Sequence, residues 1–284
     1  MAKANDKEKE LIHQYLLQFL SIEKEYPLLP GKNNTEALAG FVGITEEEFS
    51  LSRSNFNENA RQAALEVLKD EEIIDLIDDL PFDSDDTIVA YGDSITGDLQ
   101  GWFTILQHVL EISVNAADFK FVNAGVAYET TTEALKRIDR DVLSHSPDWV
   151  FVALGTFDAQ RLNVATNRTL VSLSDTWENL NLVQEVLTEE VENDLIWITP
   201  PTVITELLDQ NPLYDFTIEK QDLAQIQELV SGKKGFVVDP RAIRMGTQGP
   251  QAWNYLSDGL HPSLSGHIET VKFILKTMVS KGEE

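Results

Sequence analysis

Five short apolar runs, rich in β-branched and aromatic residues, constrain this chain more than any other feature. They are TIVAYG (87–92), FKFVNAG (119–125), DWVFVALG (148–155), DLIWITP (194–200) and GFVVDP (235–240). None alternates apolar with polar positions, so each fits a strand covered on both faces. Helical patterns lie between them. One is Leu135, Ile138 and Val142; another is Leu173, Trp177, Leu180, Val183 and Val186, with Asp175 as cap and Glu178 beyond it. The chain closes with Ile268, Val271, Ile274, Leu275 and Met278 on one helical face. Strands alternating with helices dictate an α/β fold with a parallel sheet and helices on both sides. Right-handed crossovers leave few topologies. Trp102, Trp149, Trp177 and Trp197 fall inside these patterns and are expected in the core.

Residues 1–80 have another texture and read as a helical region preceding an α/β domain at 85–284. Leu11, Ile12, Tyr15, Leu16, Phe19 and Leu20 share a helical face. NNTEALAGFVGITEEEF suggests two short helices, the second capped by Thr45 with Glu48 three residues on. From Asn57 to about Leu80 the spacing of Ala60, Ala64, Val67, Leu68, Ile74 and Ile77 is again helical. Such a region packs on the main domain, covers the mouth of its site, or joins two copies into a homo-oligomer.

The formal net charge of −26 disfavours nucleic acid and anionic membrane surfaces as partners. It also sets aside a helix-turn-helix reading of LAGFVGITEEEF. The carboxylates between Asp70 and Asp79 read as a solvated face. No run approaches the length needed for membrane insertion. The absence of cysteine excludes disulfides and thiolate metal sites. The first twenty residues mix charge with apolar positions unlike a signal peptide, so the expected location is cytoplasmic.

In such a sheet, ligands bind beyond the carboxyl ends of the strands. Asp93-Ser94 follows the first run, Asn123 and Gly125 end the second, and Gly155 to Asp158 follow the third. A serine hydroxyl needs a base, and that base needs an acceptor to hold its tautomer. Asp258 and His261, three residues apart before the last helix, supply both. The backbone N–H groups of Ser94 and Gly125 are candidate oxyanion donors. Asp93 reads as a cap on the serine turn. His267, six residues after His261, reads as a packing or capping residue, since a metal pair would lack a third ligand at suitable spacing. His13, His108 and His145 have no convergent acid and carry no role. Trp253 and Tyr255 either line the site or pack.

These residues carry a family resemblance. GDSIT, NAG, GTFD and DGLHPSLSGH resemble, in order, the four blocks of the SGNH (GDSL-type) hydrolases, over about residues 85–284. The resemblance implies a flavodoxin-like three-layer α/β/α sandwich with a five-stranded parallel sheet. It implies a serine ester hydrolase (esterase, GDSL-like lipase or acylhydrolase) that needs no metal or other cofactor and takes a small-molecule ester. Ser94 would be its nucleophile, His261 its base, Asp258 the orienting acid and Gly125 an oxyanion donor. The third block departs: where the family usually has Asn, a further oxyanion donor, this chain has Phe157. The Thr156 hydroxyl, the Asn123 side chain, Gln160 or Asn163 would then substitute. Failing that, the chain is a weakened enzyme or a ligand-binding protein on the same fold. Tyr128 stands where a second glycine is common and, with Phe157 and Trp253, would contact substrate. No long apolar lid is evident, which favours small acyl groups such as acetyl.

Overall fold

The computed structural model describes residues 12–19, 21–31, 34–114, 118–239, 241 and 250–280. Among these, seven strands occur: β1 (Thr87–Gly92), β2 (Lys120–Gly125), β3 (Trp149–Ala153), β4 (Gln160–Leu162), β5 (Ile196–Ile198), β6 (Phe216–Ile218) and β7 (Phe236–Val238). Five of them form one parallel sheet in the order β2-β1-β3-β5-β7. They coincide with the five apolar runs; Leu11, Leu20 and Pro240 of the patterns above, and the side chain of His13, lie outside the described residues.

The lack of alternation has a direct cause: both faces of the sheet are covered. Ile88, Ala90, Phe151, Ile196 and Val238 pack with Trp102, Leu106, Val271 and Ile274 from the helices Trp102–Ser113 and Leu264–Ser280. Val89, Tyr91, Val150, Val152 and Trp197 point the other way, onto Leu180, Val183 and Leu187 of the Leu173–Glu190 helix and Val230 of Lys220–Ser231. The result is a three-layer α/β/α sandwich. Strand order reverses between β1 and β3, and Ser94 lies just beyond their carboxyl ends, where sheets of this kind bind ligands.

The helices Thr35–Val42, Glu46–Val67 and Glu71–Ile77 precede the sheet. Ala60, Ala63, Ala64, Val67 and Ile73 join the same apolar cluster as Ile88 and Phe151. Thr45 does cap its helix: its hydroxyl accepts Glu48 N–H at 3.1 Å, and Glu48 Oε2 accepts Thr45 N–H at 2.9 Å. The helix is not short, however. Nothing between Phe49 and Val67 breaks it, so the segment from Asn57 continues it. Thr45→Ala should destabilise the fold by about 1 kcal/mol, measurable as a lower urea midpoint with an unchanged slope.

Three further expectations are corrected. The Leu173–Glu190 helix is capped by Ser172, whose hydroxyl accepts Asp175 N–H at 3.1 Å, so Asp175 lies inside the first turn. Trp177 is 52% exposed on that helix, while Trp102, Trp149 and Trp197 are buried as expected. The face drawn from Leu11 to Leu20 is not one helix. A single π-helical turn, Ile12–Leu17, is followed by the short helix Ile22–Glu25. The antiparallel pair β4–β6 went unforeseen, because strands of three residues carry no readable period.

Candidate active site

β1 ends at Gly92, and the chain turns at once into the helical turn Ser94–Gly97. Asp93 caps that turn, its Oδ1 accepting Ile95 N–H at 2.9 Å. Ser94 Oγ lies 2.8 Å from His261 Nε2, and His261 Nδ1 lies 2.7 Å from Asp258 Oδ2. With Nδ1–H donated to the carboxylate, Nε2 presents its lone pair to the serine hydroxyl. Asp258 Oδ1 accepts the N–H groups of Leu260 at 2.9 Å and His261 at 3.0 Å. Tyr214 O–H donates to Asp258 Oδ2 at 3.0 Å. Burial alone would raise the Asp258 pKa; the neighbouring His261 and these donors reverse the effect and hold it below the ordinary carboxylate value. Between the acid and the base, Gly259 adopts φ +67°, and a Cβ there would meet Ile204 O at 2.5 Å. Only glycine turns the Asp258–His261 loop this way.

Gly125 sits in register beside Gly92 at the end of β2. A Cβ on it would lie 2.2 Å from Gly97 N. The glycine lets the backbone of the serine turn come this close. Its N–H donates to Asn123 Oδ1 at 2.9 Å, and Asn123 Nδ2 donates to Thr96 O at 2.8 Å. Both groups named as oxyanion donors at this edge are therefore engaged with each other and with the serine turn.

Phe157 is fully buried, among Val203, Leu208, Ile218 and Leu260. Its ring lies 6.3 Å from that of His261 and meets Tyr128 edge-on at 5.4 Å. Tyr128 in turn stands edge-on to His261 at 5.8 Å. Its backbone is left-handed, φ 57°, which explains why a glycine would suit the position. Thr156 is buried in the turn after β3, and Gln160 opens β4. Asp158 accepts Thr131 N–H, the Thr131 hydroxyl and the Thr176 hydroxyl at 2.6 to 2.7 Å, tying that turn to two helices. Trp253 stands 67% exposed, outside the rings that pack on His261. His267 accepts Trp102 N–H at 3.2 Å and meets Asp98 at 3.1 Å, so it packs against and caps a helix.

Sequence reading named no residue of two groups as part of the site. The first is Arg137, buried behind the strand ends. Its guanidinium donates to Ala124 O at 2.7 Å and Gly92 O at 3.0 Å, pairs with Glu129, and lies over the Tyr91 ring. The second is the segment around Phe19. Phe19 is 1% exposed, with its ring centroid 4.2 Å from that of His261. Lys24 Nζ reaches Asn123 Oδ1 at 3.1 Å and Gly125 O at 3.2 Å.

Burial pushes the Asp93 carboxyl up to about 7, against the pull of Ile95 N–H. An unfolded carboxyl ionises near pH 4, so between about pH 4 and 7 the folded chain keeps a proton that the unfolded chain has lost. Stability from this group falls as pH rises through that window. Asp93→Asn keeps the acceptor and cannot ionise. Relative to the wild type it should gain roughly 2–3 kcal/mol between pH 5 and pH 8, read by urea denaturation at both. An equal shift of both proteins with pH would contradict this.

Residues 90–267 match the GDSL-like lipase/acylhydrolase family. The chain belongs to that family. The GDSL-like protein is accordingly a carboxylic ester hydrolase. Its fold is similar to that of a lipase/acylhydrolase from Enterococcus faecalis, with 21% identity and a TM-score of 0.54 over 69% of this chain and 96% of that one. An acetylxylan esterase from Geobacillus stearothermophilus is similar at 20% identity and a TM-score of 0.53, over 68% of this chain and 94% of its own. An α/β hydrolase from the metagenome of Lake Arreo, Spain, shares 19% identity with a TM-score of 0.55, over 69% and 96%. No curated protein matches the GDSL-like chain. Among its described residues no helix is long and apolar enough to cross a membrane.

Proposed function

We propose that this hydrolase cleaves small acyl esters through an acyl-enzyme on Ser94. The observation that carries the reading is the continuous line from Ser94 Oγ through His261 to Asp258, two hydrogen bonds of 2.8 and 2.7 Å. Ser94 Oγ attacks the ester carbonyl as His261 Nε2 takes its proton. Asp258 holds the ring and stabilises the imidazolium. The oxyanion is met by the N–H of Ser94, at the open start of its helical turn, and by Gly125 N–H once Asn123 releases it. Collapse expels the alcohol, protonated by His261. Water, deprotonated by the same ring, then frees the acid and restores the serine.

Phe157 brings no donor, so the oxyanion has one fewer than the family pattern offers, and turnover on simple esters is expected to be modest. The rings of half-buried Tyr128 and fully buried Phe157 crowd His261. That crowding favours short acyl groups, as does the fold shared with an acetylxylan esterase. Comparing kcat/KM for p-nitrophenyl acetate, butyrate and octanoate tests the acyl size. Acetate and butyrate should exceed octanoate; a preference for octanoate would overturn the small-acyl reading.

A further inference from the structure

Ser94 and His261 are each 0% exposed. An ester carbonyl must come to about 3 Å from a nucleophile to react, and no molecule reaches Ser94 in this arrangement. Tyr128 and Phe157 flank the His261 ring from within residues 90–267, and further cover comes from a segment ahead of them. Phe19 lies against the His261 ring. Beside it, Gln18 Nε2 donates to Asp98 Oδ2 at 2.9 Å, and Leu99 N–H donates to Gln18 O at 3.1 Å. Tyr15 and Ser257 share a hydroxyl bond of 2.7 Å. Lys24 bonds Asn123 and Gly125. The segment thus touches each loop that builds the site: the end of the serine turn, the acid-base loop and the Gly125 edge.

We propose that residues 15–19 and 21–25 act as a strap that closes the ester site, and that substrate enters only when the strap lifts. The inference rests on the reading of Ser94 as the nucleophile. On either side of Phe19, Leu17 and Ile22 tether the strap to Leu38, Val42, Phe49 and Phe56 of the helices that follow it. Its polar groups are poorly served. Glu23 Oε2 and Glu25 Oε1 are buried without a hydrogen-bond partner among the described residues, and burial pushes the Lys24 ammonium down to about 8. Buried groups left unpaired favour the state in which water reaches them. Lifting exposes Phe19 but rehydrates these charges, so the closed and open forms differ by a small net free energy. Opening also removes the Lys24 ammonium from Asn123 Oδ1 and Gly125 O.

The strap is tested by the rate at which diisopropyl fluorophosphate phosphorylates Ser94, followed by intact mass. The serine Oγ–phosphorus bond forms, fluoride leaves, and the hydroxyl proton passes to His261. A closed form that dominates lowers the apparent rate by the open fraction, so Phe19→Ala should label about tenfold faster or more. A second variant guards against misfolding. The chain has no cysteine, and the backbones of Gln18 and Leu99 already hydrogen-bond. Gln18→Cys with Leu99→Cys should label at least about tenfold slower when oxidised than when reduced. Rates unmoved by either change, with Ser94 still labelled, would overturn the strap alone. Absence of any label on Ser94 in all variants would instead overturn the nucleophile, and the strap with it.

Discussion

Ser94→Ala should lower turnover of p-nitrophenyl acetate by roughly 10⁴-fold or more. The effect is this large because the substitution removes the bond-forming atom itself. His261 and Asp258 remain held by Tyr214, Leu260 and the strand ends, but have no hydroxyl to activate. What persists is the contribution of binding and of the oxyanion donors, which is small in serine hydrolases once the nucleophile is gone. KM should change little, since Oγ adds almost nothing to the surface a substrate touches. The fold should survive, because the side-chain hydrogen bond that is lost runs to His261 Nε2 and not to the backbone of the sheet. Thermal unfolding alongside kinetics separates loss of chemistry from loss of structure. A variant that keeps its stability and a tenth of wild-type kcat would show that another group attacks.

The second large effect belongs to Arg137. It sits behind the site and ties the carbonyls of Ala124 and Gly92, the peptides that lead into Gly125 and Asp93-Ser94. Its charge is balanced by buried Glu129, whose pKa is raised by burial in spite of the guanidinium. Arg137→Met leaves that carboxylate without its partner. Breaking a buried pair from one side costs about 3–5 kcal/mol, so a marked fall in the urea midpoint is expected. The loss should ease below the raised pKa of Glu129, where the acid takes a proton. Arg137→Lys should recover only part of it, because an ammonium cannot span two carbonyls and a carboxylate in one plane. A lysine variant as stable as the wild type would mean that charge alone, and not the fork, is what the site requires.

Both effects show where the sequence is informative and where it is silent. The parallel sheet was legible because strands covered on two faces carry unbroken apolar runs, and β1, β2, β3, β5 and β7 all do. Ser94, Asp258 and His261 could be singled out because GDSIT and DGLHPSLSGH resemble blocks of the family, and the structure brings the three side chains together. Arg137 was hidden: with Lys136 and Arg140 beside it among Leu135, Ile138 and Val142, it looks like a solvent-facing helical residue until the strand carbonyls behind it are seen. For residues 1–80 the sequence left three roles open, covering the site among them, and did not say which residues would reach it. Phe19 and Lys24 reach His261 and Gly125 over more than a hundred residues of chain, and no local period records such a contact. Trp177 erred the opposite way, since a helical apolar spacing does not say how wide the buried stripe is.

The central claim is that Ser94 carries the acyl group. It is tested most directly by acid-quenching the wild-type protein during turnover of p-nitrophenyl acetate and mapping the acetyl group by peptide mass. The account predicts one acetyl on the peptide containing Ser94, absent in Ser94→Ala and accumulating in His261→Ala only if the ester can still acylate without its base. Turnover with no acetyl on Ser94, or with the acetyl on another residue lost in step with product, would contradict it.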